Sequence, residues 1–430
     1  MKIIKLNQIN RLLLMAIFNF QLLTVSSQIV FSLDNCKVMA LKNNVKMQNA
    51  VADIHIAEEQ KKEAFTKFFP QISSSAMAFN LNKPLINMQS SETDFSLLKN
   101  GYSVMITAMQ PIYAGGQIVN GNKLAGLEVE SKNLQQKISQ NDVILTTEQY
   151  YWQLVSMQEK MKTIAAVKSM LKSLEHEVET SVKAGVKLRN ELLQVQLRLN
   201  ELNANECEIE NTMKLSHMLL AQYIGLKDTT FSVVDSVSSD IPEFPIKLKR
   251  DGNEAVLATS EYRLLQIGEK SSIFEHRLEL GKNLPTVSVG AGWTHGLTDK
   301  YYTNRSVVMA SVSIPISGWW GGSHAIKRSQ IAVQKSQNDL RDGRERLVIR
   351  IQSAWNDVEN AYRQMSIAHE SIVQAQENLR LNSNYYRAGT SKMSDLLDAQ
   401  MLYQQARDKY VDSHIHFTTK ILEYKQNIGE

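Results

Sequence analysis

The feature that most constrains the fold of this chain is an internal repeat in which equivalent residues lie 204 positions apart. Pro111-Ile112 recurs as Pro315-Ile316, and Gly185 recurs as Gly389. The same shift relates Leu192-Leu193 to Leu396-Leu397, Gln196 to Gln400, Ile224-Gly225 to Ile428-Gly429, and acidic Glu191 to acidic Asp395. One shift that holds without a gap and pairs glycine with glycine predicts two halves of equivalent structure.

Each half reads as one helix, two strands and two further helices. Residues 32–69 have a helical composition with Ser32 as the N-cap, and Pro70 ends the pattern. The counterpart in the second half, residues 253–282, ends before Pro285. Only 7 of the 430 residues are proline, which favours long uninterrupted elements.

Four stretches alternate between apolar residues and small or polar residues, a pattern typical of strands with one apolar face. Residues 287–294 and 308–314 show it clearly, residues 102–108 show it with methionines on the polar side, and residues 72–81 form a weaker fourth strand. We expect polar loops at residues 82–101 and 296–305. A strand of about ten residues is long enough to cross a bilayer at a tilt.

The strands give way to long helices. Residues 117–183 contain no proline and predict a helix of roughly 100 Å. Apolar residues recur at three- and four-residue steps on both sides of Gly185, with one charged residue in each seam, Lys168 and Glu206. This spacing winds helices around one another. We predict that the chain reverses at Gly185 and again at Gly389, which gives two antiparallel helical hairpins.

The N-terminal segment predicts export. Lys2, Lys5 and Arg11 precede an apolar core, and small residues follow it before Gln28. We assign a signal peptide to residues 1–27, a first repeat to 28–226, a linker to 227–252 and a second repeat to 253–430. A retained N-terminal anchor is the alternative, although the apolar run is too short to span a bilayer.

Four strands cannot close a membrane barrel, because an open sheet edge in lipid leaves backbone groups unpaired at a cost of several kcal/mol each. We therefore predict a mainly α protomer that closes its sheet with copies of itself, and three copies would give a 12-stranded β-barrel. Valine and tryptophan would face lipid, and serine, glycine and threonine would face water. Trp319 and Trp320 follow a strand and would form an interfacial aromatic belt, or else pack where strands meet helices.

The sequence offers no candidate residues for catalysis, a cofactor or a metal. Its paired glycines lack the Lys and Ser or Thr of a phosphate-binding loop. His414 and His416 lie two residues apart on a predicted helix and point to different sides. The net charge of +4 gives no support to nucleic-acid binding. Cys36 and Cys207 are predicted to stay unpaired and partly buried, with a disulfide as the alternative.

Several segments together resemble the TolC-like outer membrane efflux proteins, or outer membrane factors. The similar segments are residues 33–44, 69–72, 111–116, 386–391 and 395–400. The resemblance implies a homotrimer in the outer membrane of a Gram-negative bacterium, surrounded by lipid and extended into the periplasm by a helical tube. It also implies passive conduction, with a periplasmic adaptor (membrane fusion) protein and an inner-membrane RND or ABC transporter as partners.

The resemblance further implies a periplasmic gate. Asp395 and Asp398 match the family's aspartate rings, Tyr386 matches the tyrosine that locks the closed state, and Glu191 matches the acidic partner of that tyrosine. The arginine of the lock matches Ser391, so the ion pair of the lock is expected to be missing.

Gly185 and Gly389 would lie at the hairpin tips that an adaptor contacts. We therefore predict a non-enzymatic export channel that serves an inner-membrane pump. Three alternatives remain open: the exit duct of a type I protein-secretion system, a soluble periplasmic coiled-coil scaffold, and an adhesion protein, which would need larger surface loops.

Overall fold

The computed structural model describes residues 29–89, 94–97, 99–227, 229, 231–238, 240–299, 301–316 and 318–430. The predicted signal peptide, residues 1–27, lies outside the described residues. The strands are β1 (Ile29–Phe31), β2 (Gln71–Asn80), β3 (Ile86–Gln89), β4 (Asp94–Leu97), β5 (Asn100–Ala114), β6 (Phe231–Val233), β7 (Thr286–Thr298) and β8 (Tyr301–Ser313). The α-helices are α1 (Leu33–Asn43), α2 (Val45–Thr66), α3 (Gln117–Lys183), α4 (Arg189–Ile224), α5 (Gly252–Ala255), α6 (Ser260–Lys282), α7 (Gly318–Arg387) and α8 (Met393–Asn427).

These elements divide between two compact units. One holds the described residues up to Asn44 together with Thr146–Pro242 and Arg363–His416, and it contains both helix–helix turns. The other holds Val45–Leu145, Glu243–Tyr362 and Phe417–Glu430, and it contains the four-stranded sheet. Among the described residues, no helix combines the length and apolar character that crossing a membrane requires.

The order of elements confirms the predicted fold class of a mainly helical protomer with four antiparallel strands. The predicted 204-residue shift also holds at the helix ends. Helices α3 and α7 end at Lys183 and Arg387, and α4 and α8 begin at Arg189 and Met393. The bounds assigned to the repeats and to the linker remain predictions.

The first predicted helix is interrupted. Ser32 caps α1 as expected, because its Oγ accepts a hydrogen bond from Asn35 N–H at 3.4 Å. Asn44 then takes an extended ψ of 134°, which separates α1 from α2. The second-half counterpart is also divided, since α5 and a short 3₁₀ turn precede α6 at Ser260. Neither break has a proline to signal it.

The strands β2, β5, β7 and β8 pair in that order, all antiparallel. The register separates two faces of the sheet. One face carries apolar side chains, among them Ile72, Val104, Ile106, Ala291, Trp293, Val308 and Val312. The other face carries mainly serine, threonine, glycine and methionine, among them Ser73, Thr107, Gly292, Ser288 and Ser311. The predicted division between apolar and polar residues is therefore present in the folded sheet.

The predicted loops are shorter than expected. The prediction of a polar loop at residues 296–305 is wrong, because β7 and β8 pair as far as Thr298 and Tyr301. Asp299 takes a positive φ of 55°, which suits a two-residue hairpin turn. The region 82–101 contains a further hairpin, in which β3 pairs with β4.

A short parallel pair of strands was not predicted. Strand β1 pairs with β6, which lies within the predicted linker. The rings of Phe31 and Phe231 meet edge to face with centroids 5.5 Å apart. Each strand has only three residues, which is too short for a period of two to be visible in the sequence.

The core of the helical hairpins follows the predicted seams. Leu171, Leu174, Val195, Leu199 and Leu202 belong to one buried cluster. The charged residues that interrupt the two seams face each other, and Lys168 Nζ lies 2.5 Å from a Glu206 carboxylate oxygen. A polar pair inside an apolar seam fixes the register of two helices at some cost in stability.

Removing one partner of this pair is expected to cost more than replacing both. In Lys168→Met the half-buried Glu206 carboxylate loses its cation, and we expect a loss of about 1–3 kcal/mol in the free energy of unfolding. The double variant Lys168→Met/Glu206→Leu should recover most of that loss. Thermal unfolding of the purified protein in detergent would measure both. Equal losses in the two variants would contradict the pairing.

Candidate functional site at the helix–helix turns

The two helical hairpins turn in the same way. Helix α3 ends with Gly185 N–H bonded to Val182 C=O at 3.0 Å and Val186 N–H bonded to Ser181 C=O at 2.9 Å. Helix α7 repeats this pattern 204 residues later, at Gly389 and Thr390. The glycines have φ of 73° and 74°, the left-handed conformation that this type of C-cap requires. The structure thus places both predicted tip glycines in the turns, where both are exposed.

One tyrosine joins the second hairpin to the first. Tyr386, in the last turn of α7, is 5% exposed. Its hydroxyl donates to Glu191 Oε2 at 2.7 Å, as the predicted lock requires. The same hydroxyl accepts from Lys187 Nζ at 2.7 Å, and that ammonium lies 4.0 Å from the centroid of the tyrosine ring. Two predicted gate residues are therefore in direct contact.

The lysine of this network was missed by sequence reasoning. Ser391, which matches the family's arginine, bonds locally to the carbonyl of Lys392. The cation comes instead from Lys187, which lies 204 positions before Ser391 and is its equivalent in the first repeat. The repeat carries the signal, because Lys187 supplies in the first half the positive charge that Ser391 lacks at the equivalent position of the second.

The environment of Tyr386 keeps its hydroxyl protonated. Burial, and then the hydrogen bond to the Glu191 carboxylate, raise the pKa of Tyr386 above the ordinary tyrosine value of about 10. A raised pKa in the folded state means that the contribution of this group to stability is fully present below its unfolded pKa. That contribution is lost only as pH rises through the still higher folded value.

We therefore expect the properties that depend on the Tyr386 hydrogen bonds to stay constant between about pH 7 and 9. Thermal unfolding and channel conductance, each measured across that range, would test this. Tyr386→Phe serves as the control, because it lacks the titrating hydroxyl. A change between pH 7 and 9 that is present in the native chain and absent from this variant would contradict the assignment.

The two aspartates lie at the start of α8. Asp395 accepts from Lys392 N–H at 3.2 Å and from Ser394 Oγ at 3.3 Å, so it caps its own helix. Asp398 is exposed one turn later and borders a groove of about 300 Å³ between α4 and α8. The structure does not bring either aspartate into the Tyr386 network, and their assignment to acidic rings stays a prediction.

The two tips differ in chemistry. Next to Gly185, Val186 and Leu188 are 77% and 72% exposed, so the first tip presents apolar side chains to solvent. The equivalent positions of the second tip are Thr390 and Lys392, which are polar. The first tip thus offers the larger apolar surface for a partner.

Aromatic side chains mark the ends of the four-stranded sheet. Helix α7 starts at Gly318, so both predicted belt tryptophans lie in its first turn, and Trp320 is 75% exposed. The side chain of Trp319 lies outside the described part of the structure. Toward the opposite end, near the Asp299 turn, Trp293 stacks on His295 at 5.8 Å and donates to Asn304 Oδ1 at 2.7 Å. This second aromatic group was not predicted.

Comparison with known proteins identifies the family. The profile of a family described as outer membrane efflux protein matches residues 38–226 and 281–418, which is most of the chain. The chain belongs to the outer membrane efflux protein family. The match includes both helix–helix turns and the strands β2, β5, β7 and β8.

Relatives and solved structures agree with this assignment. The outer membrane protein TolC of Vibrio cholerae is 18% identical over 403 residues, which is 91% of this chain and 89% of that protein. TolC of Escherichia coli is 19% identical over 419 residues, which is 90% of this chain and 80% of that protein. The Campylobacter jejuni CmeC outer membrane channel shares the fold with a TM-score of 0.80, at 15% identity over 92% of this chain and 85% of that one. The Vibrio cholerae outer membrane protein VceC gives a TM-score of 0.77, at 12% identity over 92% of this chain and 96% of that one.

Membership in this family has direct consequences. The protein is an outer membrane efflux channel of the TolC type, found in Gram-negative bacteria, and the family consists of channels and not of enzymes. The alternatives of a soluble scaffold and of an adhesion protein are therefore wrong. Within the described residues, Cys36 is buried and Cys207 is exposed, and both are free thiols. The prediction that both are partly buried is wrong for Cys207, which is exposed on α4.

Proposed function

We propose that this chain forms a homotrimeric channel that conducts substrate passively out of the cell from an inner-membrane pump. The observation that carries the proposal is the four-stranded sheet, in which β2 and β8 each pair on one side only within the described chain. Its apolar face includes side chains that are strongly exposed in the protomer, such as Val308 at 86% and Ile72 at 74%. Unpaired edges are not tolerated in lipid, so neighbouring copies would have to complete the sheet.

The number of protomers is inferred from the need to close the β-barrel and from family membership. Channels of the TolC family form trimers. Three copies would supply twelve strands, which is enough to enclose an aqueous lumen. The edge strand β8 of one copy would then pair with β2 of the next around a threefold axis.

The contact between the hairpins supports a gate in the same channel. Tyr386 links the two hairpins through two hydrogen bonds with charged partners, Lys187 and Glu191. Hydrogen bonds with charged partners are stronger than those between neutral groups, and they also restrain the relative position of the two hairpins. We assign the closed state to this arrangement, with Asp395 and Asp398 lining the mouth of the pore as acidic rings.

The exposed hairpin tips support docking of a periplasmic adaptor. Val186 and Leu188 give the first tip an exposed apolar surface that a partner could cover. At the left-handed turns, no atoms beyond the adjacent residues lie within 4 Å of the point that a Cβ on Gly185 or Gly389 would occupy, so a partner backbone has room to approach. The pump behind the adaptor would be an RND or an ABC transporter, and a type I secretion duct remains the second candidate within the same channel function.

Fractionation and electrophysiology together would test the proposal. We expect the protein in the outer membrane fraction, as an oligomer that dissociates on heating, with small single-channel currents in planar bilayers. Crosslinking in cells through cysteines placed at Val186 or Leu188, in a Cys207→Ser background, should capture an adaptor, whereas cysteines at Thr390 should capture less. Recovery of a monomer in the soluble fraction would overturn the proposal.

A further inference from the structure

A single charged side chain lies within the four-stranded sheet. Arg305, on β8, is the only residue of β2, β5, β7 and β8 that carries a formal charge. It is exposed, and within the described part of the chain it takes part in no hydrogen bond or ion pair. An unpaired charge on a membrane strand is costly unless it faces water, so the direction of the Arg305 side chain indicates which face of the sheet is hydrated.

The register places Arg305 on the polar face. Arg305 is opposite Thr294, Thr294 is opposite Met105, and Met105 is opposite Ser75. The neighbouring residues of β8 on that face are Thr303 and Val307. The adjacent residues Asn304 and Ser306 belong to the other face, where they meet His295 and Trp293.

The side chains on the two faces of the sheet indicate which face contacts water and which contacts lipid. The face opposite Arg305 carries Ile106, Trp293 and Val308, which suit lipid. An arginine on the lipid side of a barrel is strongly disfavoured near the bilayer midplane, and that cost is avoided if the side chain points into the lumen. Arg305 is the fifth residue of β8, counted from the hairpin turn, and so lies inside the barrel wall and not in the loop.

No carboxylate of the barrel wall can neutralise this arginine. None of the four strands contains aspartate or glutamate. Strand β8 is an edge strand, so in the proposed trimer its free side pairs with β2 of the next copy. Because Gln71–Asn80 contains no acidic residue, this holds whatever the register of that pairing.

Threefold symmetry would bring the arginines close to the pore axis. Twelve strands spaced by about 4.8 Å and tilted by about 40° give a backbone radius of roughly 12 Å. An arginine side chain reaches about half of that distance, so each guanidinium would lie within one Debye length of a passing ion.

We propose that Arg305 forms a ring of three positive charges in the lumen of the barrel, which makes the outer part of the channel selective for anionic substrates such as organic carboxylates, sulfonates and phosphates. This inference rests on the proposed trimeric channel and deepens it by naming a substrate class. Arginine rings are a known means of selecting anions in pores.

Ion selectivity in planar bilayers tests the ring. The reversal potential is measured across a KCl gradient for the native chain, Arg305→Gln and Arg305→Lys, each also in an Asp395→Asn/Asp398→Asn background so that the acidic rings proposed at the periplasmic mouth do not set the ion selectivity. We expect Arg305→Gln to lower the anion-to-cation permeability ratio roughly three- to tenfold, and Arg305→Lys to preserve it. Asn304→Gln, on the lipid face of the same strand, is the matched control and should leave the ratio unchanged.

The outcomes separate the two proposals. Normal currents with the same permeability ratio in Arg305→Gln and the native chain would overturn the arginine ring and leave the channel intact. The absence of channel currents from every variant and from the native chain would overturn the channel itself.

Cysteine labelling tests the direction of the side chain without relying on current. In a Cys207→Ser background, Arg305→Cys in outer membranes should react with a water-soluble maleimide, and Ser306→Cys should not. Cys36 is buried and contributes no signal. The reverse pattern would place Arg305 against lipid and overturn the inference.

Discussion

Tyr386→Phe is expected to raise the single-channel conductance of the purified oligomer several-fold. The variant keeps the ring but removes the hydroxyl that donates to Glu191 and accepts from Lys187, each at 2.7 Å. A hydrogen bond with a charged partner contributes about 1.5–3 kcal/mol. Since about 1.4 kcal/mol changes an equilibrium tenfold, losing both bonds should shift the hairpins strongly toward the open state.

The control for this variant is the neighbouring tyrosine. Tyr385 is 51% exposed, and its side chain lies outside the network, so Tyr385→Phe should leave conductance unchanged. Lys187→Met should act in the same direction as Tyr386→Phe, because it removes the cation that the first repeat supplies. Native conductance in both Tyr386→Phe and Lys187→Met would contradict the gate assignment without affecting the proposal that the protein is a channel.

Gly115→Ala is expected to abolish assembly of the oligomer in the outer membrane. Gly115 is buried in the turn between β5 and α3 and has a φ of 59°. A side-chain carbon at this position would lie 2.2 Å from the carbonyl oxygen of Gly281, at the end of α6. The clash is with backbone and cannot be relieved by a rotamer change, so it adds to the roughly 1–2 kcal/mol of left-handed strain. We expect a total loss of several kcal/mol.

Substitutions at two other glycines separate the cost of left-handed backbone strain from the cost of the clash. Gly185 has a positive φ of 73° but open space around it, so Gly185→Ala should show the strain alone, a loss of about 1–2 kcal/mol. Gly121 lies within α3 with nothing nearby, and Gly121→Ala should stabilise the helix by about 0.5–1 kcal/mol. The yield of heat-dissociable oligomer in outer membranes ranks the three variants. If Gly115→Ala assembles as well as Gly121→Ala, the close approach of Gly115 and Gly281 is wrong.

The sequence predicted well the long helices and the turns between them. Helix α3 spans Gln117–Lys183 as expected, because dozens of residues without proline leave few alternatives. Both reversals fall at the predicted glycines, since a left-handed cap favours glycine over every other residue. The facing charges Lys168 and Glu206 were visible as breaks in the two seams, although only the structure shows that they pair.

The features that the sequence did not reveal depend on contacts between distant segments. The pairing of β1 with β6 joins three-residue strands about two hundred residues apart, which no local pattern records. The loop predicted at residues 296–305 contains polar residues such as Thr303, which the ladder between β7 and β8 accommodates on its polar face. In the candidate site, the contact of Tyr386 with Glu191 was predicted by resemblance, whereas the role of Lys187 required the folded turn.

The half-paired edges of β2 and β8 also bear on how such a protein is made. In the proposed trimer the sheet of each copy is completed only by neighbouring copies, so we expect a single copy to be unstable in the membrane. Insertion and oligomerisation should therefore occur as one concerted event, whose rate depends steeply on the supply of fresh protomers. Before assembly, each protomer exposes unpaired strand edges that are prone to aggregate, and a periplasmic chaperone would have to shield them.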